Sequence, residues 1–103
     1  MALKAAFIFL APGANPDEHR SVVRTPEVEL TTIGASSYEQ AEKAVNALRD
    51  QGIQAIELCG GFGAAGTARM AAAAGSRVAV GAVRFDIHPG LGGKSGDQVF
   101  GQA

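Results

Sequence analysis

Residues 53–85, IQAIELCGGFGAAGTARMAAAAGSRVAVGAVRF, hold the passage on which the fold turns. An apolar run over 53–59 (IQAIELC) feeds the cluster Gly60-Gly61-Phe62-Gly63. An alanine-rich segment over 64–74 follows, closed by Gly75, and a second apolar run occupies 77–85 (RVAVGAVRF). Short apolar runs bounded by glycine read as strands, and alanine is the best helix former, so this passage predicts strand, helix, strand. Strands joined through a helix lie parallel in one sheet, with a right-handed crossover. The run 77–85 is apolar on both faces for most of its length, the pattern of a central parallel strand.

Upstream, 28–33 (VELTTI) alternates apolar and polar residues and predicts another strand. Ser36 or Ser37 opens a helix, with Glu39 or Gln40 three residues on to complete a capping box. Tyr38, Ala41, Val45 and Leu48 recur at helical spacing as its inner face, and Gly52 supplies a left-handed stop. Residues 4–10 (KAAFIFL), closed by Pro12-Gly13, form the first strand, whose pairing direction the sequence leaves open. Residues 13–26 read as a polar, irregular loop carrying Asp17-Glu18-His19-Arg20. Loops of that length in compact domains are often lids or partner contacts.

The resulting expectation is a single α/β domain over 1–103 in the order β-β-α-β-α-β. Its one small sheet of about four strands is mostly parallel and carries two helices. Residues 86–103 form a glycine-rich C-terminal arm whose Leu91, Val99 and Phe100 need a surface to cover. Two helices leave one sheet face incompletely covered, which a homodimer or larger homo-oligomer would remedy.

Composition narrows the function. Nine basic residues against ten acidic ones give a net charge of −1, without the basic excess of a nucleic-acid-binding domain. The apolar run over 5–11 is too short to span a bilayer, so no membrane partner is expected. The single Cys59 excludes an internal disulfide and fits a reducing, cytoplasmic setting.

Open α/β sheets place ligands beyond the carboxyl ends of parallel strands. Glu57 and Cys59 share a face there by the two-residue strand period, and Arg84, Asp86 and His88 share one if the last strand stays extended. His88 is the candidate acid or base near neutral pH, oriented by Asp86, with Arg84 as the anchor for an anion. Glu57 and Arg84 have a plainer alternative, a buried ion pair that fixes strand register. Cys59, at a strand-to-helix turn, is either a nucleophile or an inert wall.

Residues 61–66 fit G-x-G-x-x-G, with Asp86 twenty residues beyond Gly66. The chain lacks strands for a second mononucleotide half. The motif therefore reads as a simpler anion site, with N–H groups of Gly60, Gly61 and Gly63 as donors. Gly93-Lys94-Ser95 resembles part of a Walker A motif, but residue 88 is His88 where its first glycine belongs, and no helix of the needed length follows. Lys94 and Ser95 remain ligand contacts. His19, His88 and Asp86, with Glu18 nearby, are the residue types for a divalent ion, although their spacing is no metal signature.

The stretches KAAFIFLAPGANPDEHRSVV, AIELCGGFG and VAVGAVRFDIHPGLGGKSGDQVF resemble a bacterial family of small proteins of unknown function. The likeness spans nearly the whole chain and implies a complete small domain, with no activity or site residue to carry over. The leading expectation is a small cofactor-free enzyme performing acid-base chemistry on an anionic, carboxylated or phosphorylated small molecule, of isomerase, lyase or hydrolase type. The alternatives are a non-catalytic small-molecule-binding or assembly module, and a divalent-metal enzyme using His19, Asp86 and His88.

Overall fold

The computed structural model describes residues 2–101; the end of the predicted arm, 102–103, lies outside them. The chain forms β1 (Leu3–Leu10), β2 (Arg20–Arg24), β3 (Val28–Ala35), α1 (Tyr38–Asp50), β4 (Ala55–Leu58), α2 (Ala64–Ala74) and β5 (Ala79–Ala82). A 3-10 turn (Pro89–Leu91) and the short α3 (Gly96–Phe100) complete it. The strands make one sheet in the order β2-β3-β1-β4-β5, parallel throughout except for the antiparallel edge β2.

The expected mixed α/β class and mostly parallel sheet are present, with three corrections. The sheet has five strands, because part of the predicted first loop forms β2. All five residues of β2 are exposed, so RSVVR carries no burial periodicity from which to read it. The last strand covers Ala79–Ala82 rather than 77–85, and it is an edge strand, not a central one. Its final rung is the Val83 N–H donating to the Leu58 carbonyl, because β4 stops where the glycine turn begins. The arm also holds a third, short helix.

The central position belongs to β1, whose run KAAFIFL pairs in parallel with β3 on one side and β4 on the other. Alternation sorts its side chains. Ala6 and Ile8 face the helices in register with Thr31 and Ile33 of β3, and with Ile56 and Leu58 of β4. These residues join Tyr38, Ala41, Val45 and Leu48 of α1, and Met70 and Ala74 of α2, in one core. Both helices therefore pack on the same sheet face. The opposite face, with Phe7, Phe9, Leu30 and Glu57, carries no helix, and only its Phe9 end is met by the connection after β1, through Ala14.

Ser37 caps α1 by accepting the Gln40 N–H, while the Gln40 side chain accepts from the backbone and hydroxyl of Ser36. The two helices are joined by a two-pronged ion pair, Arg69 Nε to Glu42 Oε2 at 3.1 Å and Arg69 Nη2 to Glu42 Oε1 at 2.8 Å. The Arg69 guanidinium also lies 5.4 Å from the centre of the Tyr38 ring. Gly66 lets α2 approach that ring, since a Cβ there would overlap Tyr38. In an open helix Gly→Ala gains about 1 kcal/mol of propensity. Here the buried, hydrogen-bonded Tyr38 cannot yield, and overpacking costs about 1–3 kcal/mol. Gly66→Ala is thus expected to lower stability by up to about 2 kcal/mol in urea unfolding. A stabilised variant would show that the two helices have room to part.

Candidate functional site

The glycine loop after β4 was the expected anion site, and the protein fills it with its own carboxylate. Helix α2 starts at the N-cap Gly63, which offers no side-chain cap, and its first turn has no acidic residue. The N–H groups left over at a helix start need acceptors and favour negative charge. Asp97, at the start of α3, supplies both. Its Oδ2 accepts from Ala65 N–H at 2.9 Å, and its Oδ1 accepts from Gly66 N–H at 3.0 Å. The Tyr38 hydroxyl donates to Oδ1 at 2.9 Å and accepts from Gly63 N–H at 3.0 Å.

The motif glycines are explained by these contacts. A Cβ on Gly63 would overlap the Asp97 carboxylate, one on Gly96 would overlap the Gly61 carbonyl, and one on Gly60 would overlap the Phe85 ring. Gly61 donates its N–H to the Cys59 sulfur at 3.2 Å. Gly60, Gly61 and Gly63 thus lie against side chains of the same chain, and their arrangement packs the arm onto the loop.

Burial alone would push the Asp97 carboxyl up, but the N–H groups of Ala65, Gly66 and Ala64, with the Tyr38 hydroxyl, hold it below the usual carboxylate range. Burial, reinforced by the neighbouring Asp97 charge, pushes the Tyr38 hydroxyl up to about 12, so it stays a donor.

The remaining predicted site residues have separate local partners. Arg84 and Asp86 do come together, Nε to Oδ1 at 3.1 Å, but as a pair more than 70% exposed, so the alternative Glu57–Arg84 buried pair does not form. Glu57 is exposed on the uncovered sheet face, between Phe7 and Gly81. The Cys59 sulfur accepts from Leu10 N–H at 3.4 Å as well as from Gly61, and packs against the core. His88 opens the 3-10 turn, its Nδ1 accepting from Gly90 N–H at 3.0 Å, and its ring centre lies 4.6 Å from that of Phe85. Lys94 is exposed and bridges His88 through backbone, while Ser95 and Gln98 form a capping box on α3. His19 lies in the other connection, its Nδ1 accepting from Asn15 N–H at 2.8 Å. Among the described residues no three His, Cys, Asp or Glu side chains converge as metal ligands, so His19, Asp86 and His88 do not assemble the divalent-ion site.

Three cavities, of about 420, 570 and 300 Å³, have none of Glu57, Cys59, Arg84, Asp86, His88, Lys94 or Ser95 in their walls. The 570 Å³ cavity lies where the helices end, and its Arg49 is engaged with Asp50, Asn46 and the Ala73 carbonyl. The 300 Å³ cavity is a shallow apolar dish at Phe9, Pro12 and His19.

The 420 Å³ cavity differs in its chemistry. It is the corner where α1 covers β3 but not β2, closed by the connection after β1. Ile33, Ala44 and Leu48 floor it, and Arg20 and Lys43 bring two cations, neither with an ion-pair partner among the described residues. The Gln40 oxygen is engaged by Ser36, which fixes the side chain with its NH2 group as the remaining polar end. Asp17 is the one carboxylate in the wall. Sequence reading noted Arg20 in a charged cluster but had no signal to join it to Lys43 across the fold. It also missed Asp97, whose place was marked by the capping-box spacing Ser95 to Gln98.

Residues 3–98 match the sequence profile of a family of unknown function (DUF6506), in keeping with the resemblance read from the chain. No curated protein and no solved structure matches. No helix among the described residues is long and apolar enough to cross a membrane.

Asp97→Asn keeps the shape but removes the charge from the α2 start, with an expected cost of about 1–3 kcal/mol at neutral pH. Because the folded pKa is depressed, this contribution is full above the ordinary Asp value near 3.9 and fades as pH falls through the lower folded value. Urea midpoints of both proteins should therefore differ most at neutral pH and converge in acid. A gap that is constant with pH would assign the cost to shape rather than charge.

Proposed function

The chain belongs to the family of unknown function DUF6506, which brings no activity with it, and we propose from its geometry that it binds an anionic small molecule in the α1–β2 corner. The observation carrying this is the pair Arg20 and Lys43 over an apolar floor, in a cavity of about 420 Å³. Small-molecule sites are typically concave, mostly apolar and furnished with a few convergent polar groups. Two cations without ion-pair partners favour a carboxylate or phosphate head, and Ile33, Ala44 and Leu48 favour an apolar body behind it. The anionic ligand expected from sequence is retained, but its place moves from the glycine loop to this corner.

Binding stands ahead of acid-base turnover here. A catalytic acid or base must lie within hydrogen-bond reach of the reacting group. Neither His88, Asp86, Cys59 nor Glu57 lines this corner, and His88 and Asp86 are engaged in contacts of the arm. The function supported best is that of a ligand-binding module, with Asp17 as the wall carboxylate that discriminates against a second negative charge on the ligand.

Benzoate and phenyl phosphate are suitable probes, with benzyl alcohol as the uncharged control. Amide NMR titration should shift residues around Arg20, Ile33, Gln40 and Lys43 with either anion and not with the alcohol. Replacing Arg20 and Lys43 together by alanine should weaken binding by roughly a hundredfold, the loss of about 1.4 kcal/mol per charged contact. Shifts confined to residues 59–66, or equal binding by the double variant, would overturn the assignment.

A further inference from the structure

We infer that two copies of this chain pair through the uncovered sheet face, sheet against sheet. The face is built by alternate residues. Leu3, Phe7 and Phe9 of β1 run down its middle, Leu30 of β3 and Val23 of β2 extend it to one side, and Glu57 of β4 is its one charged side chain. Leu3 and Val23 are 42% and 57% exposed, values that leave large apolar groups in water. The other sheet face shows what the chain does with apolar residues that have a layer over them, since Ile8, Ile33, Ile56 and Leu58 are all at most 2% exposed.

Area argues that a second copy is a sufficient cover. Five strands at about 4.8 Å spacing, four to eight residues long at about 3.3 Å each, present a footprint of roughly 500 Å². Two such faces with side-chain relief remove on the order of 1,200 Å² from water, the lower bound of stable protein interfaces.

Charge placement argues for a copy of the same chain. Thr32, Phe7 and Glu57 form one row across β3, β1 and β4. A two-fold axis along the central strand carries β3 over β4, so each Glu57 meets a Thr32 hydroxyl, a hydrogen-bond donor. The two carboxylates lie on opposite sides of the axis, about two strand spacings apart laterally, roughly 10 Å, both within the gap between the stacked sheets. The face is thus apolar along its axis and compatible with itself off it. Such pairing is isologous and closes at two subunits.

Sedimentation equilibrium of the full chain tests this, with circular dichroism as the check on folding. The expected species has twice the 10.5 kDa chain mass. Leu3→Lys and Val23→Lys, at already exposed positions, should each raise the dimer dissociation constant roughly tenfold or more. Val22→Lys serves as the control. Val22 is comparably exposed at 40%, but it pairs with Thr31 on the helix side of the sheet, so this variant should leave the dimer unchanged. Glu57→Gln removes a charge the interface must desolvate and should tighten association. A monomer throughout the micromolar range, or a dimer disrupted by Val22→Lys and indifferent to Leu3→Lys and Val23→Lys, would overturn the proposal.

Discussion

The two oxygens of the Asp97 carboxylate hold together four parts of the chain, α1, the glycine loop, α2 and α3. They reach the first turn of α2 through Ala65 and Gly66, and α1 and the glycine loop through the Tyr38 hydroxyl and its bond from Gly63. Helix α2 needs this more than most helices. Its sequence AAGTARMAAAA buries few large side chains and its N-cap is a glycine, so neither packing nor a local cap secures its start. A negative charge at that end satisfies orphan donors and complements the helix dipole together. The glycines at 63, 66 and 96 follow, because each keeps a Cβ out of the space this arrangement occupies.

Placing both helices on one face produces two unlike surfaces. On the helix side, two helices leave the β2 edge uncovered and create a corner bounded by cations and apolar residues. On the other side, an apolar sheet surface is interrupted by one carboxylate. The first is the corner proposed for a small ligand, and the second is the face proposed to meet a second copy of the chain. Neither lies at the strand-end position that the topology of open α/β sheets would suggest, because the arm has already covered the glycine loop.

The parts of the fold legible in the sequence were those with a burial period. Residues 38–50 showed the helical face that packs on the sheet, and 28–33 showed the alternation of a strand covered on one side. Strand β2 was invisible for the opposite reason, since an edge strand exposed at every position has no pattern to display. The run 77–85 misled because its apolar residues beyond Ala82 are not buried in a sheet; Val83 remains 53% exposed. At the candidate site, the G-x-G-x-x-G spacing falls on a helix start whose N–H groups donate to a carboxylate. Spacing alone carries no information on whether that anion comes from outside or from thirty residues along the same chain.

The central position of β1 has a further consequence, for the order in which the fold can form. Strand β1 precedes both of its neighbours: one, β3, begins at residue 28, and the other, β4, is complete only at residue 58. At roughly 5–20 residues per second, synthesis leaves KAAFIFL without its second neighbour for several seconds. Pairings between segments so distant in sequence also slow folding after release. During that interval the apolar run of β1 can pair only with β3, the strand already joined to β2 in a hairpin.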